Sequence, residues 1–348
     1  MSITKKVRVL VVDDSLLFRE AIANGIAADR GIEVVGTAKD AFEARDKIIE
    51  LEPDVMTLDV EMPKMNGIEF LKRLIPQYPI PVVVVSSVSD NVFDALNAGA
   101  VDFVTKMNSV TGTNKEVFIN ELIVKVKIAS MAKVGHLKKG ISNERHIGKI
   151  NSRNSSTIIA IGASTGGTQA ILEVVKDFPR DMPGVIITQH MPPVFTKMYA
   201  DRLNNLCNME VKEAETGDIV LPGRILIAPG DRHMELSRRG NNYYVECFTG
   251  DKVNGHCPSV DVLFNSVAEK AGSNAIGIIL TGMGYDGAKG LLKMKQRGAF
   301  TIGQDEQSSV VYGMPKVAYD IGGVTKQASL RNIPQLIYSI LENKIDCV

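Results

Sequence analysis

The chain has no apolar run approaching the roughly 18–20 residues that span a bilayer, so no membrane insertion is expected. It has no charge surplus either: 40 basic residues face 40 acidic ones. That balance argues against a surface built on net charge for nucleic acid or for an anionic membrane. No helix-turn-helix signal is present, which argues against a DNA-binding output. The four cysteines (Cys207, Cys247, Cys257, Cys347) form no CxxC pair and no zinc spacing, and they read as free thiols. His256 and Cys257 are adjacent, but neighbouring side chains of an extended segment point apart, so they do not suggest a metal site. After Lys5-Lys6, the apolar run Val9 to Val12 is cut short by Asp13-Asp14; no secretory signal is read there, and a cytoplasmic protein is expected. What remains is 348 residues, enough for two separate cores.

The first part of the chain alternates short apolar runs with stretches of helical spacing. Arg8 to Val12 runs into Asp13-Asp14, Val55 to Leu58 into Asp59, Pro81 to Val85 into Ser86, and Phe103 to Thr105 into Lys106. Between them, Leu16 to Ala28, Ala41 to Leu51, Ile68 to Ile75 and Val92 to Ala98 carry apolar residues at helical intervals, and a last helix is expected over Lys115 to Lys133. Asp14-Ser15, Asp40 and Asn66-Gly67 supply helix-start chemistry. This alternation predicts a doubly wound, five-stranded parallel sheet. Successive strand ends of such a sheet gather on one edge, so carboxylates, a hydroxyl and an ammonium meet there. Clustered carboxylates repel unless a cation lies among them, and hard oxygen ligands suit Mg²⁺.

The pattern lapses over Val134 to Ser156, where small, polar and basic residues read as a linker. It resumes at Thr157 with a second strand-helix series. Strands are expected over 157–161, 185–189 and 275–280, and helices over 168–178, 195–206 and 262–271. Ile225 to Ala228 and Tyr243 to Phe248 read as strands around a turn at Pro229-Gly230-Asp231.

The strand ending at Ile161 leads into Gly162-Ala163-Ser164-Thr165-Gly166-Gly167 and then a helix. G-x-S-x-G between a strand and a helix can expose a serine hydroxyl on a sharp turn. A phosphate-binding loop and a plain tight turn are the alternatives; P-loop lysine and GxGxxG are both missing. A serine nucleophile needs a base, and His190 ends the next strand on the same sheet edge, whereas His233 and His256 sit near polar turns. Asp286, in Thr281-Gly282-Met283-Gly284-Tyr285-Asp286-Gly287, follows another strand on that edge and can fix the tautomer of the base. Asp251, Asp261 and Asp305 compete for that role on sequence alone.

Two resemblances rest on these residues. Val11 to Ser15, Leu58 to Gly67, Val85 to Ser87 and Asp102 to Lys106 resemble the response-regulator receiver family. The resemblance implies a flavodoxin-like domain in which Asp59 takes up a phosphoryl group from a histidine kinase. It also implies that Asp13, Asp14 and Asp59 hold Mg²⁺, that Ser86 and Lys106 meet the phosphoryl oxygens, and that Phe103 turns with the switch. Met107 stands where that family usually has proline. From Ile161 to Gly167, with Gln189-His190-Met191, Ala228-Pro229-Gly230, Pro258 to Phe264, Thr281 to Gly287, Gln304-Asp305-Glu306 and Gly313-Met314-Pro315, the second part is similar to the CheB-type protein-glutamate methylesterase domain.

That second resemblance implies a mostly parallel α/β hydrolytic domain with the triad Ser164, His190 and Asp286. It places the Met283 amide in an oxyanion hole and Thr165 beside the nucleophile. The esterase chemistry would need no cofactor. The substrates would be methylated glutamates of chemoreceptors, with selected receptor glutamines deamidated by the same chemistry, and the enzyme would be recruited to membrane receptor arrays. An unphosphorylated receiver would obstruct access. The expected division is receiver 1–127, linker 128–156 and catalytic domain 157–348, in a monomer. The rival readings are a response regulator whose second part only binds a partner, and a nucleotide-binding enzyme using Gly162 to Gly167.

Overall fold

Runs such as Val82–Ser86 and Val55–Asp59 are buried at every position, as strands of a parallel sheet are when helices cover both faces. The computed structural model describes residues 5–87, 91–106, 114–134 and 157–343. Met107, the 135–156 part of the expected linker, and Cys347 lie outside the described residues. The chain divides into two units, Met1–Lys138 and Lys139–Val348.

The first unit runs β1 (Val7–Val12), α1 (Leu16–Ala27), β2 (Ile32–Ala38), α2 (Ala41–Leu51), β3 (Val55–Asp59), α3 (Gly67–Leu74), β4 (Val82–Ser86), α4 (Asn91–Asn97), β5 (Asp102–Thr105) and α5 (Lys115–Ala129). Its sheet has the order β2-β1-β3-β4-β5, parallel throughout. The helix starts follow from local chemistry. Ser15 caps α1, the Asp40 carboxylate accepts from the amides of Phe42 and Glu43 at 3.1 and 2.9 Å, and the Asn66 side chain accepts from Glu69 at 2.8 Å. Helix α5 stops at Ala129, short of the expected Lys133. Ala129 is its last buried residue and Met131 is exposed, so the apolar face that holds the helix to the sheet has run out. Strand β1 has β2 on one side and β3 on the other, and that reversal opens a crevice beyond the ends of β1 and β3.

The second unit runs β6 (Ile158–Ala163), α6 (Gly167–Val175), β7 (Gly184–Gln189), α7 (Phe195–Leu206), β8 (Glu210–Glu213), β9 (Arg224–Ile227), β10 (His233–Arg239), β11 (Asn242–Phe248), α8 (Val260–Lys270), β12 (Ala275–Ile279), α9 (Ala288–Gln296), β13 (Phe300–Gln304), α10 (Met314–Asp320), β14 (Lys326–Ala328) and α11 (Ile333–Asn343). Seven strands form one parallel sheet in the order β14-β13-β12-β6-β7-β9-β8. Here β6 is the reversal point, with β7 on one side and β12 on the other.

One expectation needs correction. The segments at 225–228 and 243–248 are not partners around the Pro229 turn. Strand β9 lies inside the main sheet between β7 and β8, whereas β11 pairs antiparallel with β10 in a separate two-stranded sheet. Burial explains the separation. Ile225, Leu226 and Ile227 are all buried and need cover on both faces, whereas β11 alternates, burying Tyr243, Val245 and Cys247 on one face only. That face shares a core with Met234 and Leu236 of β10 and with Leu263, Phe264 and Val267 of α8. Phe264 is fully buried in this layer. Phe264→Ala is therefore expected to cost about 3–5 kcal/mol, read as a lower urea midpoint for the second unit; an unchanged midpoint would mean that α8 is not seated as described.

Candidate active site

Strand register brings three loop starts together. Ala163 of β6 lies opposite Gln189 of β7, and Gly162 lies opposite Ile279 of β12. Ser164, His190 and Thr281 therefore leave neighbouring strands at nearly one level. Main-chain hydrogen bonds tie them: His190 N donates to Ala163 O at 3.2 Å, and Ser164 N to Thr281 O at 3.0 Å. The Gln189 side-chain amide donates to Ser164 O at 2.9 Å. Two glycines are required for this turn. Gly166 has φ +75°, and a Cβ on it would lie 2.7 Å from Cβ of Val310. A Cβ on Gly282 would lie 2.7 Å from Cβ of Ser164, so only a residue without a side chain lets that loop pass the serine.

His190 Nε2 lies 2.8 Å from Asp286 Oδ2. The Asp286 carboxylate is almost fully buried and takes up donors from the start of α8 as well. Val260 N reaches Oδ2 at 2.7 Å; Ser259 Oγ at 2.7 Å, Asn254 Nδ2 at 2.8 Å and Asp261 N at 3.2 Å reach Oδ1. Burial pushes this carboxyl pKa up, but the hydrogen bond and charge of His190, with Asn254 and Ser259, outweigh it and hold the group well below the ordinary carboxylate range. The ionised Asp286 fixes Nε2 of His190 as the protonated nitrogen and leaves Nδ1 as the lone-pair atom. Nδ1 is buried and has no hydrogen-bond partner, and Ser164 is tied to this strand end through the main chain and the Gln189 side chain.

The competing acids have other duties. Asp251 is exposed and only its main-chain carbonyl is engaged, by His233, whereas the Asp305 carboxylate accepts from the amide and hydroxyl of Ser308. Asp261 accepts from Gly290 N at 2.6 Å and from Asn254 Nδ2 at 2.7 Å; burial and the charge of Asp286 raise its pKa. Thr165 is buried, and its carbonyl accepts from Thr281 Oγ1 at 3.0 Å. Met283 is 39% exposed on the loop beside Ser164. Sequence reasoning missed Gln189, Asn254, His256 and Ser259. Ser259, just before a helix, and the turn pair Asn254-Gly255 carried the available signals. Nothing in the sequence placed His256 at the site, yet its ring stacks on that of His190 with centroids 3.7 Å apart and planes 7° off parallel. The thiols of Cys207 and Cys247 are free, and burial pushes both up to about 11, away from reactivity.

In the first unit, the strand ends carry the expected cluster. Carboxylate oxygens of Asp13, Asp14 and Asp59 all lie within 4.8 Å of one another. Lys106 Nζ is 2.7 Å from Asp59 Oδ2 and 2.9 Å from Asp13 Oδ2. Burial raises the Asp59 pKa; the hydrogen bond and charge of Lys106 oppose that shift, and Asp13 adds to it. Ser86 Oγ is buried with no hydrogen-bond partner. Phe103 is buried, and Lys125 Nζ lies 4.9 Å from its ring centroid.

Comparison with known proteins agrees with both halves. The CheB methylesterase family matches residues 159–337, and the response regulator receiver domain matches residues 9–115. The protein-glutamate methylesterase/protein-glutamine glutaminase 2 of Syntrophomonas wolfei is 58% identical over 97% of this chain and 98% of its own. The Salmonella typhi protein-glutamate methylesterase/protein-glutamine glutaminase is 49% identical, covering 95% of each chain. Among solved structures, the Thermotoga maritima CheB methylesterase catalytic domain is 38% identical, with a TM-score of 0.52 over 53% of this chain and 98% of that one. Among the described residues, no helix is long and apolar enough to cross a membrane. With both units and their order matched along nearly its whole length, the chain belongs to the CheB methylesterase family, in the form that carries a response regulator receiver domain ahead of the catalytic unit.

Proposed function

We propose that Ser164, His190 and Asp286 carry a phosphorylation-activated hydrolysis of γ-glutamyl methyl esters on chemoreceptors. The observation that carries this reading is the 2.8 Å contact between His190 and a buried, ionised Asp286, on the sheet edge that also holds Ser164. His190 Nδ1 takes the Ser164 proton as Oγ attacks the ester carbonyl. The Met283 amide meets the developing oxyanion, with Thr165 beside the nucleophile. The proton on Nδ1 passes to the leaving methoxide, and methanol departs. Water, deprotonated by the same nitrogen, then releases glutamate. A receptor glutamine amide enters by the same steps, with ammonia as the leaving group.

In the receiver, Asp59 is the phosphoryl acceptor and a histidine kinase the donor. Asp13, Asp14 and Asp59 present a compact set of hard oxygen donors that fits Mg²⁺. Mg²⁺ held there would offset the negative charge brought together on phosphorylation. Lys106 and the unpartnered Ser86 hydroxyl pair with the phosphoryl oxygens. The proposed division is receiver 1–127, linker 128–156 and catalytic domain 157–348, in a cytoplasmic monomer that works at receptor arrays.

Methanol release from methylated receptor, with and without a small phosphodonor and Mg²⁺, tests these assignments. Ser164→Ala should lower kcat by about 10³-fold or more; undiminished release would refute the nucleophile. Asp59→Asn should keep the basal rate and lose the response to phosphodonor. Chelating divalent cations should also abolish that response while sparing basal hydrolysis. A basal rate that falls with chelation would place a metal in the esterase site instead.

A further inference from the structure

The segment between β11 and α8 is held at both ends by one buried imidazole. His233 Nε2 donates to Asp251 O at 2.9 Å, and His233 Nδ1 accepts from Ser259 N at 3.2 Å. Between these ends the chain makes a tight turn, in which Val253 and His256 exchange both main-chain hydrogen bonds at 3.0 Å. Its central residues, Asn254 (φ +55°) and Gly255 (φ +86°), adopt the left-handed conformation that asparagine and glycine tolerate. The turn sends two side chains to the His190–Asp286 pair. One Asn254 amide nitrogen bridges Asp286 Oδ1 (2.8 Å) and Asp261 Oδ2 (2.7 Å), and the His256 ring lies flat on that of His190.

We propose that the Val253–His256 turn is the positioning element of this hydrolytic site, with Asn254 acting through Asp286 and His256 acting through His190. The inference rests on His190 being the general base. Neither residue needs to touch substrate. Asn254 separates two carboxylates, Asp286 and Asp261, that would otherwise face each other unscreened. It also withdraws charge from Asp286 and so sets how strongly that carboxylate stabilises an imidazolium on His190. His256 fixes the plane of the base, and a neutral ring offers its face to the imidazolium formed in the transition state. The groups facing His256 are His190 from the end of β7, Asp286 from the loop after β12, and Lys252 on its own segment. Burial, and then the charge of His190, lower the His256 pKa to about 4, so the ring is neutral at physiological pH.

The test uses the full chain, methylated receptor and kcat, KM and pH profiles from methanol release. His256→Phe keeps a flat face and His256→Leu fills the space without one. The Phe variant should stay within about threefold of the parent kcat, and the Leu variant should lose about 10–100-fold with KM within about twofold. Equal kcat values for the two would overturn the stacking role. Asn254→Gly keeps the left-handed backbone and removes only the amide. It should move the acid limb of kcat/KM to higher pH by about half a unit or more, because an unscreened Asp286 makes the base stronger. An unmoved limb would overturn the role of Asn254.

Stability gives a second readout on the Phe variant. The unfolded chain binds the His256 proton near 6.5 and the folded chain only near about 4, so stability is full above the first value and falls as pH drops toward the second. His256→Phe should flatten that part of the stability profile, and a retained slope would mean that the ring is not held neutral against His190. Ser164→Ala, assayed in parallel, separates the layers of the claim. If it stays active, the triad reading has failed; if it is inactive while both turn residues prove neutral, only the positioning role falls.

Discussion

The second unit is organised around keeping one carboxylate charged where water cannot reach it. Asp286 is 1% exposed, and an ion so placed is costly unless its lone pairs are met. They are met by His190, by two side chains, and by two amides from the first turn of α8, whose helix dipole favours negative charge at that end. Much of the surrounding architecture follows. Helix α8 must start beside the loop that follows β12. The segment before it must turn back to present Asn254. Helix α8 lies on the main sheet over β6, β7 and β12, and the β10–β11 pair adds Met234, Leu236, Tyr243, Val245 and Cys247 to the same core. The small antiparallel sheet is thus part of the support of a buried carboxylate, Asp286, through the helix whose first amides hold it.

The receiver solves a related problem with a full positive charge in place of a set of neutral donors. Three carboxylates gather at the strand ends, and the nearby neutralising group in the protein is the ammonium of Lys106, placed between Asp13 and Asp59. Burial leaves Asp59 less acidic than an exposed aspartate, and Lys106 opposes that tendency. The Ser86 hydroxyl at the same strand ends is buried without a partner.

Sequence made the parallel sheets legible because their strands are doubly buried and read as continuous apolar runs. Val82–Ser86 and Gly184–Gln189 needed no periodicity to be found. The strand-end residues Asp59, Ser86, Ser164 and His190 came with them, since their positions follow from where such runs stop. Strand β10 escaped because His233–Arg239 is mostly polar and gives only Met234 and Leu236 to the core it shares with α8. Asp286 could not be separated from Asp261 by local pattern: both lie near glycine-containing turns, and only the packing of α8 decides which one meets His190. His256 was set aside as a turn residue, correctly as to backbone; no one-dimensional signal records a ring stacked on another 66 positions earlier in the chain.

The hydrogen-bonded alignment of β12, β6 and β7 has an operational meaning. Side chains alternate between faces along a strand, so a slip of β7 by a single position against β6 would carry the imidazole at 190 to the far side of the sheet while leaving the apolar content of the strand intact. With His190 as the proposed base, hydrolytic competence is a finer gauge of ladder alignment in this domain than helix content or compactness, and a misaligned population would be invisible to far-ultraviolet dichroism while being enzymatically silent.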